Sequence, residues 1–232
     1  KGLGVVGLVA SCADVERFQR YLIARYGAGP AVWLVGGDGQ GTTPNIEAAG
    51  LMCDREDDYA HPTGIHYAPH VPAPAHQDKP WLDFQWCQTG HSGEHIPERA
   101  AQLFRASPAK GAANGEPTYE HIGSTGKGEG WWQGHEAWLN LTAGGTMGVV
   151  YGAGSLWQWK RDGEDAHHEP WTFAPGKTWR EALDFPGAAF VGAVAKVFGG
   201  LDLTDVRPNW WFTYGGRGLE GGKPGRRWYL LY

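Results

Sequence analysis

Short apolar stretches that end in glycine or polar residues, most of them followed by a helical periodicity, recur along this chain, and that recurrence leaves few folds open. Leu3–Ala10 (LGVVGLVA) is a continuous apolar run, as expected of a strand buried on both faces. Ser11 and Asp14 form an N-cap pattern, Val15, Phe18 and Leu22 recur at helical spacing through Ala13–Tyr26, and Gly27 supplies a stop. Ala31–Val35 (AVWLV) is a second buried strand, closed by Gly36, Gly37 and Asp38. Strand, helix and strand in this order make a unit of parallel sheet.

The pattern continues. Thr42–Asp58 reads as loop and short helix, with Asp54, Glu56, Asp57 and Asp58 forming a solvated acidic face. Gly64–His70 and Trp81–Cys87 are the next strands, the latter running into Gln88, Thr89, Gly90 and His91. A helix over Glu94–Arg105, a strand over Gly111–Glu116, an aromatic-rich helix over Glu129–Ala143 and a strand over Thr146–Tyr151 follow. Gly152–Trp159 is a glycine loop, and Thr178–Phe198 is a helix interrupted near Pro186. From Asn209 the pattern changes: NWWFTY and RRWYLLY, separated by a Gly/Lys/Pro turn, predict an antiparallel hairpin.

Six buried strands alternating with helices, with polar residues at strand C-termini, predict an α/β fold of the TIM-type (β/α)8 barrel. A doubly wound open sheet is the alternative, but no Gly-rich phosphate loop follows any strand. Eight strands close a barrel, so the first two βα units are expected upstream of Lys1. The expected division is a partial catalytic barrel over residues 1–206 and the beginning of a C-terminal β domain over residues 207–232.

Within that layout the stretch GAANGEPTYE (Gly111–Glu120) holds the first candidate for chemistry. Small residues suit a crowded inward strand, and Pro117 stops it, so Glu116 falls where a buried strand opens into a loop. A carboxylate there is partly desolvated yet reachable, as acid, base or nucleophile work requires. The plainer reading is a strand-terminal glutamate paired with a cation. Asp38 is a second carboxylate at a strand's C-terminal end, projected by the turn that Gly36 and Gly37 permit. Two such acids are what glycoside hydrolysis needs.

Composition narrows the partners. A net charge of −5 and no basic stripe with interleaved aromatics argue against nucleic acid and anionic membranes. No apolar run approaches the roughly 20 residues that cross a bilayer. Thirteen tryptophans among 232 residues supply flat faces that suit sugar rings, although most must serve the core. Cys12, Cys53 and Cys87 form neither a disulfide framework nor a thiolate metal site. His61, His66, His70 and His76 match no zinc spacing, and they read as loop or substrate-contacting residues. No metal or cofactor is expected. Asn140-Leu141-Thr142 fits a glycosylation sequon by chance, inside an expected helix.

Four motifs, in order, carry a resemblance: RYGAGPAVWLVGGD (Arg25–Asp38), WLDFQWCQTGH (Trp81–His91), NGEPTYE (Asn114–Glu120) and YGAGSLW (Tyr151–Trp157). Together they resemble the apiosidase-like glycoside hydrolases (glycoside hydrolase family 140), barrel enzymes often followed by a small β-sandwich. Two departures stand out: Gly128–Gly148 lacks an arginine before the aromatic helix, and Met147–Val149 replaces a histidine-containing turn. The resemblance implies a retaining glycosidase, with Asp38 as acid/base after strand four and Glu116 as nucleophile after strand seven. It implies Gln88 and His91 as hydrogen-bond partners of the nucleophile or of sugar hydroxyls, each alternatively a strand cap. Asn114 would hold Glu116, Glu120 would be an orienter or spare acid, and Tyr151 and Trp157 would line a sugar subsite. It further implies a pectin side-chain substrate and a secreted or periplasmic location. Two other classes remain: a non-catalytic carbohydrate-binding protein using the same aromatic cleft, and a metal-dependent hydrolase built on the histidines.

Overall fold

A computed structural model of the chain describes residues 10–69, 71, 74–91, 96–122, 130–163, 176–213 and 216–232. The expected strand over Leu3–Ala10, apart from Ala10, lies outside them, as do His70, Glu94 and Glu129. The chain divides into two compact units, Lys1–Gln88 with Gln102–Ala112, and Thr89–Ala101 with Ala113–Tyr232. No helix among the described residues is long and apolar enough to cross a membrane.

Among the described residues, the first element of the first unit is helix α1, Cys12–Tyr26. Its start is a capping box: the Ser11 hydroxyl accepts the Asp14 N–H at 3.2 Å, and the Asp14 carboxylate accepts the Ser11 N–H at 3.2 Å. Val15, Gln19 and Ile23 face inward. Phe18, expected on that face, is 50% exposed, because the buried stripe runs through Gln19, whose amide donates to Cys53 Sγ at 3.1 Å. Strands β1 (Trp33–Leu34), β2 (Thr63–His66) and β3 (Phe84–Gln88) follow, with helix α2 (Pro44–Glu56) between β1 and β2. This helix is longer than the short one expected.

The strands pair in parallel, with Trp33 opposite Thr63 and Gly64 opposite Phe84. Gly64 is required there, because a Cβ would collide with the Phe84 ring. Trp33, Val35, Ile46, Met52, Ile65, Trp81 and Leu82 form the core with Val15 and Ile23. Trp81 and Leu82 are buried ahead of β3 rather than within it.

The acidic face expected over residues 54–58 is only partly solvated. Asp57 is buried, and it accepts the Trp33 indole N–H at 2.8 Å and the His61 backbone N–H at 3.0 Å. The indole on β1 gives this one acid of the cluster an interior partner.

Strand β4, Gly111–Glu116, has the extent that its sequence predicted and completes a four-stranded sheet in the order β1-β2-β3-β4. Its first residue donates to Asp83 O at 2.9 Å, and its last accepts the Thr89 N–H at 3.3 Å. Both registers rise together, so β3 and β4 are parallel. Helix α3 (Pro97–Arg105) lies in sequence between them.

The second unit holds α4 (Trp131–Ala143), a short α5 (Gly154–Trp157), a 3₁₀ turn (Glu181–Asp184) and α6 (Pro186–Phe198). Pro186 occupies the first turn of α6, where its missing N–H costs nothing, and this is the interruption that the sequence marked. The strand expected over Thr146–Tyr151 does not form. Gly148, at φ +144°, breaks the extended run, and strand-like pairing moves onward to Ala153, which bridges Glu120 in parallel.

The antiparallel hairpin is present, with RRWYLLY as one limb and Gly218–Gly221, rather than NWWFTY, as the other. β6 (Gly218–Gly221) pairs with β7 (Trp228–Leu231), and β5 (Arg207–Pro208) pairs with the other edge of β6. Within NWWFTY, the Thr213 N–H turns back to Trp210 O at 3.0 Å, and the Trp210 indole donates to Thr142 O at 3.1 Å. Those bonds commit residues 210–213 to a turn rather than a strand. Leu141, Val194 and Leu219 bring α4, α6 and β6 into one apolar cluster.

Candidate active site

Asp38 stands just past β1, where the Gly36-Gly37 pair ends the strand. The His66 N–H donates to Gly36 O and the Ala68 N–H to Gly39 O, both at 3.0 Å, so the backbone on either side of Asp38 is fixed. Asp38 itself has φ +48°, a left-handed conformation that Asp and Asn tolerate better than most residues. Its side chain is 56% exposed. One of its oxygens accepts the Gln88 amide N–H at 3.2 Å and lies 3.8 Å from His66 Nε2. Gln88 is buried at the last position of β3, so a rigid core residue holds an acid that is open to solvent.

Glu116 is the last residue of β4, and its side chain is 17% exposed. His91 Nε2 lies 3.0 Å from Glu116 Oε1, and the other ring nitrogen accepts the Tyr119 N–H at 3.3 Å. An acceptor at Nδ1 puts the ring proton on Nε2, so His91 donates to the carboxylate. The Tyr119 ring packs on the imidazole with centroids 4.3 Å apart. Asn114 takes the Glu116 N–H on its own Oδ1 at 3.2 Å.

Behind this acid runs a buried polar chain. The Asn114 amide donates to Thr89 Oγ1 at 2.9 Å, and the Thr89 hydroxyl donates to Glu136 Oε1 at 2.7 Å. The second oxygen of Glu136 accepts the Thr118 N–H at 3.0 Å. Burial pushes the Glu136 carboxyl above the usual carboxylate range, and the Thr89 and Thr118 donors oppose that shift.

A family model of the apiosidase-like catalytic domain matches residues 6–205 of the sequence. The chain belongs to that family. The apiosidase-like domain also shares its fold with solved glycosidases. One, described as a glycoside hydrolase, superposes with a TM-score of 0.78 at 20% identity, over 93% of this chain and 55% of that one. Another, a glycoside hydrolase family 5 protein from Bacteroides vulgatus ATCC 8482, superposes with a TM-score of 0.76 at 20% identity, over 91% of this chain and 52% of that one. The chain therefore spans about half the length of these solved structures. A comparison with curated proteins gives no match. The mixed α/β fold with its parallel sheet is thus one that glycoside hydrolases use.

In this apiosidase-like domain the residues singled out by sequence fall into three groups. Asp38 and Gln88 meet in the first unit; Asn114, Glu116 and His91 meet in the second. Glu120 and Tyr151 form a separate pair, in which the tyrosine hydroxyl donates to Glu120 Oε2 at 2.7 Å. Glu120 is fully buried. Trp157 sits in α5, 44% exposed.

Sequence reasoning passed over Glu136 and Thr118, and it noted Thr89 only as a polar residue at a strand end. A signal for Glu136 existed: Gln133, Glu136 and Asn140 place polar groups on one buried face of an otherwise aromatic helix. Such a face demands internal hydrogen-bond partners. His66, on a strand as expected and read as a loop or substrate-contacting histidine, ends β2 beside Asp38.

Proposed function

We propose that this apiosidase-like domain belongs to a retaining glycosidase, with Glu116 as nucleophile and Asp38 as acid/base, working at the C-terminal mouth of a (β/α)8 barrel of which β1–β4 form part. The observation that carries the reading is the setting of Glu116: a strand-terminal carboxylate, little exposed, receiving a proton donor from His91 and held through its own N–H by Asn114. A nucleophile needs this combination of fixed position and ionised form. Asp38, more exposed and held by Gln88, can exchange its proton with water between steps.

In the first step a Glu116 oxygen bonds to the anomeric carbon as the glycosidic C–O bond breaks, and the Asp38 proton passes to the departing oxygen. In the second, ionised Asp38 takes a proton from water. The water oxygen then bonds to the anomeric carbon, and the Glu116 ester bond breaks. Both inversions together leave the configuration unchanged. A retaining pair works with its carboxyl groups about 5–5.5 Å apart. The substrate is a plant cell-wall polysaccharide of the pectin side-chain type, met by a secreted or periplasmic protein.

The test is proton NMR of the first sugar released from a panel of pectin-derived oligosaccharides. Release with the original anomeric configuration is expected, and Glu116→Gln should abolish it in a folded protein. An inverted first product, or near-normal release by Glu116→Gln, overturns the assignment.

A further inference from the structure

Glu136 lies on α4, away in sequence from both candidate acids, and is fully buried. Its two oxygens accept from two different loops. One takes the Thr89 hydroxyl, two residues before His91; the other takes the Thr118 N–H, two residues after Glu116. The next amide along, Tyr119 N–H, is the one that donates to His91 Nδ1. One carboxylate thus ties together the two loops that present the His91–Glu116 pair.

The direction of each hydrogen bond follows from that carboxylate. Thr89 has a single hydroxyl proton, and Glu136 takes it, which leaves the Thr89 lone pairs to accept from Asn114. Asn114 must therefore turn its NH₂ toward Thr89 and its carbonyl toward the Glu116 N–H. Reversing the first bond would disturb all that follow.

We propose that Glu136 is a positioning residue for the nucleophile, acting through Thr89 and Asn114 on Glu116 and through Thr118 and Tyr119 on His91. This rests on the assignment of Glu116 above. An amide at position 136 keeps an acceptor for one donor only. The Thr118 N–H cannot turn away, so the amide NH₂ faces Thr89, and the hydroxyl proton of Thr89 loses its acceptor.

Two readouts in the whole protein test this. The first is turnover of the pectin-derived panel. Glu136→Gln should lower kcat by ~10²-fold with KM within about twofold, the scale of loss expected when a reacting group is misplaced by about an ångström. Thr89→Val should lose a similar factor, Thr89→Ser should restore it, and the Glu136→Gln/Thr89→Val double variant should be no worse than either single variant. The second readout needs no substrate. In ¹⁵N-histidine-labelled protein the His91 ring nitrogens should shift in Glu136→Gln, whereas those of His61, hydrogen-bonded to Asp57, should stay put. Unmoved His91 resonances in a folded Glu136→Gln protein, or losses that simply add in the double variant, overturn the proposal. Should Glu136→Gln fail to fold, the Thr89→Val and Thr89→Ser pair gives the same His91 and kcat comparisons. If Glu116→Gln keeps its turnover, the nucleophile assignment falls on its own evidence, and the His91 resonances still decide whether Glu136 sets the geometry of the pair.

Discussion

His91 Nε2 lies 3.0 Å from Glu116 Oε1 while His91 Nδ1 accepts the Tyr119 N–H, so the imidazole is locked as a donor to the carboxylate. A hydrogen bond to a charged group is worth about 1.5–3 kcal/mol. His91→Ala should therefore lower kcat by roughly 10- to 10²-fold, with a smaller effect on KM, because the bond fixes the carboxylate in the position from which it attacks. Steady-state kinetics on the pectin-derived panel checks this. Unchanged kcat would reduce His91 to a cap on the β3 loop.

Asp38 should separate from Glu116 by its dependence on the leaving group. A proton is needed on the departing oxygen only when that oxygen is a poor leaving group. Asp38→Asn is accordingly expected to slow cleavage of natural glycosidic bonds by ~10²–10⁴-fold. The first step on an activated dinitrophenyl glycoside, read as kcat/KM or as the burst of dinitrophenol, should suffer far less, because it needs no acid. Asn fits the left-handed backbone at this position, so the fold should be retained. Equal losses on both substrates would assign Asp38 to binding rather than to proton transfer.

The parts of this molecule that were legible from its letters are those fixed by local chemistry. The Ser11–Asp14 capping box, the Pro186 break and the extent of β4 each depend on residues within a few positions of one another. Parallel pairing was legible too, because strands buried on both faces read as continuous apolar runs. Thr146–Tyr151 misled for the opposite reason. Its residues favour a strand, but Gly148 breaks the run within it, and the pairing of Glu120 with Ala153 moves the bridge beyond it. Asp57 looked like its solvated neighbours, since nothing nearby in sequence announces that Trp33 will reach it. Glu136 was hidden in the same way, its partners lying 47 and 18 residues distant. Glu120, weighed as an orienter or spare acid, holds backbone groups whose identity depends on where two helices begin.

Asp57 gives the chain a predictable acid limb. Burial alone would raise its pKa, but the Trp33 indole, the His61 ring and the His61 and Tyr59 N–H groups overcome this and hold it below the ordinary value. A carboxyl depressed on folding contributes stability above its unfolded pKa of about 3.9, and that contribution is lost as pH falls through the lower folded value. Asp57→Asn should therefore be less stable than the parent at pH 7, by ~1–3 kcal/mol. The gap should narrow below about pH 4, where the parent's carboxyl takes up its proton. Urea unfolding at pH 7, 4 and 3 measures it. A gap that stays constant across the series would mean that the loss is one of shape rather than charge.

Glu120 should matter most to stability. Its Oε1 accepts the Gly130 N–H at 2.9 Å; its Oε2 accepts the Gly187 N–H at 3.0 Å and the Tyr151 hydroxyl at 2.7 Å. Gly130 is the N-cap of α4, and Gly187 follows Pro186 in α6, so it carries the first N–H that helix has to offer. One buried carboxylate thus caps two helices and meets the positive end of both helix dipoles. A glycine is needed at 187, because a Cβ there would collide with Glu120 Oε2. Removing an acceptor from a buried donor costs about 1–3 kcal/mol, and Glu120→Ala strands more than one, so a loss of ~3 kcal/mol or more is expected. Glu120→Gln keeps one oxygen and should lose less, while Gly187→Ala should cost about 1–3 kcal/mol through overpacking alone. Chemical denaturation of the three variants orders them. Parent-like stability in Glu120→Ala would mean that the helix starts find water or another partner, and the carboxylate would then have to be explained by chemistry rather than by architecture.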